Sequence, residues 1–132
     1  MDSTYVFGLT PDTDREILLN LHGKQLFSAC SANKYINSLC DPLFWKRKFM
    51  KEYEASLGIR NVDYRKAYNE MYVRNIDSQL IWVAETYSEG NDLILRLLNR
   101  GANIHANNDM ALKLAIKKGH KKIVNLLLNR DA

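Results

Sequence analysis

The side chains that could act as nucleophiles or metal ligands are few in this 132-residue chain, and they lie far apart in the sequence. Cys30 and Cys40 are the only cysteines, both in apolar helical context, and the three histidines are His22, His105 and His120. No second Cys pair or neighbouring His pair completes a zinc-type pattern. We therefore predict buried, reduced thiols and no metal site, since a free Cys is commonly a small core residue.

Patterns typical of catalysis are also missing from the sequence. There is no glycine-rich phosphate loop and no Ser/His/Asp or Cys/His arrangement of familiar spacing. Isolated carboxylates such as Glu16, Asp63 and Glu85 stand where helix caps and solvated faces would place them. The sequence predicts no enzyme, no cofactor and no catalytic residue.

The basic residues outnumber the acidic ones, 19 to 15, which gives a formal net charge of +4. Two clusters carry much of this charge: Lys46, Arg47, Lys48 and Lys51, and Lys117, Lys118, Lys121 and Lys122. Each cluster is spread around a helix, so neither forms an assured stripe for a phosphate backbone. A solvated helix face explains such clusters more often, and nucleic-acid binding is the weakest of the binding hypotheses.

The composition is that of a soluble globular protein, with 46% hydrophobic and 26% charged residues. No apolar run approaches the roughly 18 residues of a membrane span. The N-terminus lacks the basic and apolar regions of a secretory signal. We expect an intracellular, cytoplasmic protein without a membrane partner.

The N-terminal part predicts a series of short helices. Residues 1–11 have no helical period and are expected to be an extended lead-in. Asp12, Thr13 or Asp14 would cap the first helix, and Gly23 lies just past its end.

The next two helices are predicted to begin near Lys24 and after Asn33. Asp41 and Pro42 then supply an N-cap and a first-turn proline for a fourth helix through about Tyr53. That helix carries an aromatic stripe of the kind found in protein cores: Phe44, Trp45, Phe49 and Tyr53.

A fifth helix with one buried face is predicted from Tyr64 to Arg74, after a turn around Gly58. Strand-like alternation is absent from the chain, so the expected fold is all-α.

The C-terminal part contains an internal repeat. LLNRGA at 97–102 returns as LLNRDA at 127–132, thirty positions later, and QLIWVA at 79–84 aligns with MALKLA at 110–115. Each copy is expected to be a short helix, a turn at Gly90 or Gly119, and a second helix. Units of this length bury their apolar faces by stacking on one another.

Residues 77–132 resemble the ankyrin repeat, through the segments ALKLA, KKGHKKIVNLLLNRDA and LLNRGANIHA. The resemblance implies that a target protein binds at the turn tips and the face of the first helix of each repeat. The residues there are Asn103, His105, Lys113 and Lys117. The last repeat would leave Ile123, Val124 and Leu127 uncovered, which predicts a homodimer through that end.

The N-terminal helices resemble an F-box, through the segments EILLNL, KQLFSACSANKYINSLC and DPLFWKRKF. The resemblance implies docking onto the adaptor subunit of a cullin-RING ubiquitin ligase. The expected adaptor-binding residues are Leu9, Pro11, Ile17, Leu18 and Leu26. Fusion of an F-box to ankyrin repeats is characteristic of large DNA viruses, so the resemblance also implies a viral protein in the host cytoplasm.

The expected architecture is therefore an F-box-like helical bundle at 1–56, a connecting helix at 57–76 and about two ankyrin repeats at 77–132. The leading hypothesis is a noncatalytic substrate receptor that links a target to the ligase. The alternative is an ankyrin scaffold in which the N-terminal helices are only a structural cap. This alternative predicts that Ile17, Leu18 and Leu26 are buried.

Overall fold

The structure is a computed structural model that describes residues 10–58 and 62–131. Within these ranges the chain forms nine α-helices and no strand, which confirms the all-α prediction. The helices are α1 Pro11–Leu19, α2 Gly23–Cys30, α3 Lys34–Leu39, α4 Pro42–Tyr53, α5 Tyr64–Tyr72, α6 Ile76–Thr86, α7 Asn91–Asn99, α8 Ala106–Lys118 and α9 Lys121–Asp131. None of these helices combines the length and the apolar character that crossing a membrane requires.

Capping side chains fix the start of several helices. Each accepts a hydrogen bond from the backbone N–H three residues later: Thr10, Asn33, Asp41, Asp63 and Asn75. The predicted cap at Asp41 and the predicted bounds of α4 are confirmed. The cap predicted at residues 12–14 is wrong, because Pro11 occupies the first helical position and leaves Thr10 as the cap.

The N-terminal bundle, α1 to α5, is built around aromatic side chains. The predicted stripe on α4 is buried as expected. Trp45 stacks on Phe27, with ring centroids 4.9 Å apart, and lies 5.8 Å from the ring of Tyr68 on α5. The α4 helix packs against α5 on one side and against α1 on another, so it is the central helix of this bundle.

The C-terminal part forms two stacked helical hairpins, α6 with α7 and α8 with α9. The turns contain Gly90 and Gly119, as the repeat predicted. The first helices of the two hairpins pack on each other, α6 on α8, and so do the second helices, α7 on α9. The hairpins are thus stacked in register.

The sequence predicts that Ile123, Val124 and Leu127 are uncovered at the end of the stack, and this prediction is wrong in part. Ile123 and Leu127 are fully buried, whereas Val124 is half-buried and Leu128 is 50% exposed. Adjacent residues on a helix point about 100° apart. In α9 the first member of each apolar pair faces the rest of the protein and the second faces outward.

Hydrogen bonds join the bundle to the first hairpin. The side-chain amide Nε2 of Gln79 donates to the backbone oxygens of Met71, at 2.8 Å, and Arg74, at 3.2 Å. These carbonyls lie at the C-terminal end of α5, where helical partners are missing. The Arg74 guanidinium lies 5.4 Å from the ring centroid of Trp82 on α6. One hydrophobic core therefore runs from α1 to α9.

The prediction of reduced thiols is wrong. Cys30 and Cys40 form a disulfide, with their Cα atoms 5.9 Å apart. Cys30 ends α2 and Cys40 directly follows α3, and the packing of α2 on α3 brings the two together. Sequence context alone could not give this distance, because it depends on the angle between the two helices.

Candidate functional site

The structure divides the predicted adaptor-binding residues between core and surface. Leu18 and Leu26 are fully buried, and a side chain without accessible surface makes no direct contact with a partner. Ile17 is half-buried and Pro11 is exposed. Leu9 lies outside the described residues.

Helices α1 and α4 form an exposed surface beside Ile17. Arg47 Nη2 lies 2.9 Å from Glu16 Oε2, and Lys51 Nζ donates to Asn20 Oδ1 at 3.1 Å. Both pairs advance by four residues, so the helices run side by side in the same direction. One turn earlier the same spacing places Leu43, which is 68% exposed, beside the first turn of α1.

We call this surface the α1–α4 seam and define it by Pro11, Glu16, Leu43 and Arg47. Pro11 and Leu43 are exposed apolar residues in the first turns of α1 and α4, and the Arg47–Glu16 ion pair lies further along the same two helices. The exposed seam is chemically able to dock a partner with both apolar and charged groups, whereas Leu18 and Leu26 are not available for contact.

A buried lysine holds the other side of the α1–α4 contact. Lys48 Nζ donates to the backbone oxygen of Leu19 at 2.8 Å and lies 3.1 Å from Glu52 Oε1. Burial lowers the pKa of Lys48, and the hydrogen bond with Glu52 acts in the opposite direction. The ammonium thus satisfies a carbonyl at the end of α1 while Glu52 balances its charge.

Tyr68 extends this network to α2 and α5. Its hydroxyl accepts a hydrogen bond from the Gly23 N–H at 2.8 Å and donates to Glu52 Oε1 at 3.3 Å. Burial raises the pKa of Tyr68 to about 12. The carboxylate of Glu52 also lies 2.9 Å from His22 Nδ1. The arrangement joins α1, α2, α4 and α5, so its evident role is structural.

Sequence analysis placed Lys48 in a basic surface cluster and missed this role. A signal was present, since Lys48 shares a helical face with the buried Phe44 and Phe49 and stands four residues before Glu52. A lysine inside an apolar face with an acidic partner one turn away is a candidate for a buried ion pair.

The predicted target-binding residues fall into two groups in the structure. Asn103 and His105 belong to the loop between α7 and α8, where the His105 N–H donates to Asn103 Oδ1 at 3.0 Å. Lys113 and Lys117 are exposed and stand one turn apart on α8. The Asn103 N–H donates to Asp77 Oδ1 at 2.7 Å, which anchors the loop to the first turn of α6.

The loop extends into the first residues of the α8 range, where the backbone is not that of a right-handed helix. Asn107, Asn108 and Asp109 have φ values of 55°, 59° and 60°, in the left-handed region. Asn and Asp tolerate this region better than other non-glycine residues. The aspartate also contacts His105, with Oδ1 2.5 Å from Nδ1. We call 103–109 the repeat loop; hydrogen bonds within it involve the side chains of Asn103, His105 and Asp109.

A cavity of about 460 Å³ lies against the N-terminal bundle. It is lined by Cys40, Pro42, Trp45, Val62, Asp63, Tyr64 and Arg65. The Arg65 guanidinium lies 5.8 Å from the ring centroids of both Phe27 and Trp45. The walls are mainly apolar and suit the side chain of a peptide better than a polar metabolite.

No group of three or more His, Cys, Asp and Glu side chains in the described ranges is arranged to hold a metal ion. No protein-family model matches the chain, and no significant match was found among curated proteins or solved structures. The F-box and ankyrin resemblances therefore stay predictions from the sequence.

Proposed function

We propose that this chain is a noncatalytic protein-interaction module in which the stacked hairpins bind a partner and the N-terminal helices cap the stack. The observation that carries this proposal is the burial of Leu18 and Leu26 in a core shared with the hairpins. These two side chains contribute to the core that the N-terminal helices share with the hairpins, and they offer no surface to an adaptor.

The proposed binding surface consists of the repeat loop and the exposed face of α8. Asn103 and Asp77 hold the loop on α6, so its shape is set before a partner arrives. Such preorganisation reduces the entropy lost on binding. Lys113 and Lys117 add positive charge on the neighbouring helix, which favours a partner with acidic groups.

The test is affinity purification with the full chain as bait, comparing the wild type with Lys113→Glu/Lys117→Glu. The variant should lose specific partners, because it reverses two charges on the proposed surface. Lys24→Glu/Lys46→Glu is the matched control, since both lysines are exposed but lie on the bundle. Identical partner sets for the two variants, with unchanged circular dichroism, would reject the proposed surface.

A second candidate function is the substrate receptor of a cullin-RING ubiquitin ligase. The observation that favours it is the α1–α4 seam, where Leu43 is 68% exposed and Pro11 is also exposed. A leucine at that exposure, one turn before Arg47 on α4, is suited to a docking contact. Under this proposal the chain would be a viral protein that acts in the host cytoplasm.

The two candidates differ in whether the purified chain binds a purified ligase adaptor. The receptor function requires a complex by calorimetry that Leu43→Asp weakens and Val73→Asp, at a similarly exposed position directly after α5, does not. Leu18→Asp is unsuitable here, because a buried carboxylate would unfold the protein. Absence of a complex at high concentration would leave the scaffold function standing.

A further inference from the structure

The outward face of the second hairpin carries exposed apolar side chains. Ile116 on α8 is 59% exposed and Leu128 on α9 is 50% exposed. Between the two helices is a groove of about 350 Å³, lined by Ile116, Gly119, Lys121, Val124 and Asn125. We call this the end groove.

The internal repeat shows what kind of surface the end groove is. Val124 and Leu128 occupy the positions of Ile94 and Leu98, thirty residues earlier. In the first hairpin Ile94 is fully buried and Leu98 packs on the core, because that hairpin lies between the bundle and the second hairpin. The same positions in the second hairpin are more exposed, since among the described residues this hairpin packs on the first hairpin alone.

Stacked repeats cover this kind of face with helices. In the first hairpin, helix α9 of the second hairpin packs on α7. The outward face of α9 carries apolar residues at the equivalent positions, so it is also suited to being covered by a helix. A helical occupant fits the end groove better than an extended strand or a small polar molecule.

The charged residues around the end groove restrict the kind of helix that could bind there. Lys121 lines the groove, and the exposed Lys117 and Lys118 stand in the sequence between its lining residues Ile116 and Gly119. None of the three forms an ion pair with a residue that the structure describes. The residues equivalent to Lys117 and Lys121 in the first hairpin are the neutral Thr86 and Asn91. The positive charge is thus specific to the second copy and selects an acidic partner.

We propose that the end groove binds an acidic amphipathic helix of a partner protein. Its apolar stripe would cover Ile116, Val124 and Leu128, and its Asp and Glu side chains would face Lys118 and Lys121. A second copy of this chain is a poorer occupant, because two identical end faces would bring lysines against lysines. The end groove excludes the repeat loop but shares helix α8 with the binding surface proposed above, at Ile116 and Lys117. Ile116→Ser/Leu128→Ser leaves Lys113 and Lys117 in place, so it tests the groove separately from that surface.

The test presents the full chain to a display library of helical peptides about 18 residues long, or five turns. Each peptide has a fixed leucine stripe with randomised positions on both sides. We expect selected peptides to be enriched in Asp and Glu beside the stripe and to bind less tightly as salt rises. Failure to select a binder, or selection without acidic enrichment, overturns the proposal.

Variants then locate the binding site of the best selected peptide by fluorescence anisotropy. Ile116→Ser/Leu128→Ser should raise Kd at least about tenfold, since it removes apolar contact at positions that are exposed in the free protein. Val73→Ser, at a similarly exposed apolar residue outside both proposed docking surfaces, should leave Kd unchanged. Equal binding by all three proteins overturns the proposal. Sedimentation showing a dimer that Ile116→Ser/Leu128→Ser dissociates also overturns it, by assigning the groove to a second copy.

Discussion

The N-terminal bundle and the stacked hairpins are stabilised by different kinds of interaction. The bundle has an aromatic core around Trp45, a buried network around Lys48 and the Cys30–Cys40 disulfide. The hairpins rely on aliphatic side chains in repeated positions, such as Leu93 and Ile123. The bundle therefore has a unique arrangement, whereas the hairpins use one arrangement twice.

This difference bears on which part of the protein can change without loss of the fold. Buried polar networks and aromatic contacts tolerate few substitutions, so the bundle is suited to be a fixed cap. Stacked repeats depend mainly on nearest-neighbour packing. Their exposed loop and end groove are the positions where sequence can vary with the partner.

The largest loss of stability is expected from substitutions that leave a cavity in the core of either region. Trp45→Ala should lower the free energy of unfolding by about 4 kcal/mol and Leu97→Ala by about 3 kcal/mol, because both side chains are buried. Urea denaturation followed by circular dichroism measures both. Since one core joins the two regions, each variant should unfold in a single transition. A separate early transition in Leu97→Ala would show that the hairpins fold independently of the bundle.

Reduction of the disulfide should lower stability by about 3 kcal/mol, the chain-entropy estimate for a loop of this size. Urea midpoints with and without a reducing agent measure the effect. Cys30→Ala/Cys40→Ala is the control, since its midpoint should not respond to the agent. If the wild-type midpoint does not change, the disulfide does not stabilise the bundle.

A disulfide of this kind is rare in the reducing cytoplasm, which stands against the compartment predicted from the sequence.

Tyr68→Phe should lower the free energy of unfolding by about 1–2 kcal/mol, because it leaves the Gly23 N–H without its acceptor. Tyr72→Phe is the control, since the Tyr72 hydroxyl has no hydrogen-bond partner among the described residues and its ring packs beside Tyr68. Equal midpoints for the two variants in chemical denaturation would contradict the role of the network.

The raised pKa of Tyr68 also predicts a loss of stability in alkali. The folded value of about 12 exceeds the ordinary value of 10.0. The contribution is fully present below pH 10 and is lost as pH rises towards 12. Wild-type urea midpoints should fall over this range, and Tyr68→Phe should reduce the fall. The pKa of Tyr53 is raised as well, mainly by burial, so part of the fall should remain.

A smaller effect is expected at the hydrogen bond between His120 and Ala84, one of the contacts that join the two hairpins. His120 Nδ1 lies 2.9 Å from the backbone oxygen of Ala84, so His120→Ala should cost about 1 kcal/mol. His105→Ala, on the more exposed repeat loop, should cost less. Thermal unfolding of both variants measures the two losses of stability. A larger loss for His105→Ala than for His120→Ala would contradict this prediction.

The sequence was most informative where local chemistry decides the structure. The Asp41–Pro42 pair set the start of α4, and Gly90 and Gly119 marked the hairpin turns. The predictions failed where the outcome depends on how two helices lie against each other. The pairing of Cys30 with Cys40 is one case.

The orientation of a helix around its own axis was the other source of error. The apolar runs containing Ile17 and Leu18, or Ile123 and Val124, are compatible with more than one buried face. The packing of the whole core selects among them. The same limit applies to the candidate site, since exposure of Leu43 and burial of Leu18 cannot be separated by residue type.

Calorimetry of the purified chain with a purified adaptor subunit of a cullin-RING ligase tests the central claim most directly. We expect no heat of binding, because Leu18 and Leu26 are buried and offer no surface to the adaptor. A saturable complex that Leu43→Asp abolishes and Val73→Asp preserves would contradict it and assign the bundle to ligase recruitment.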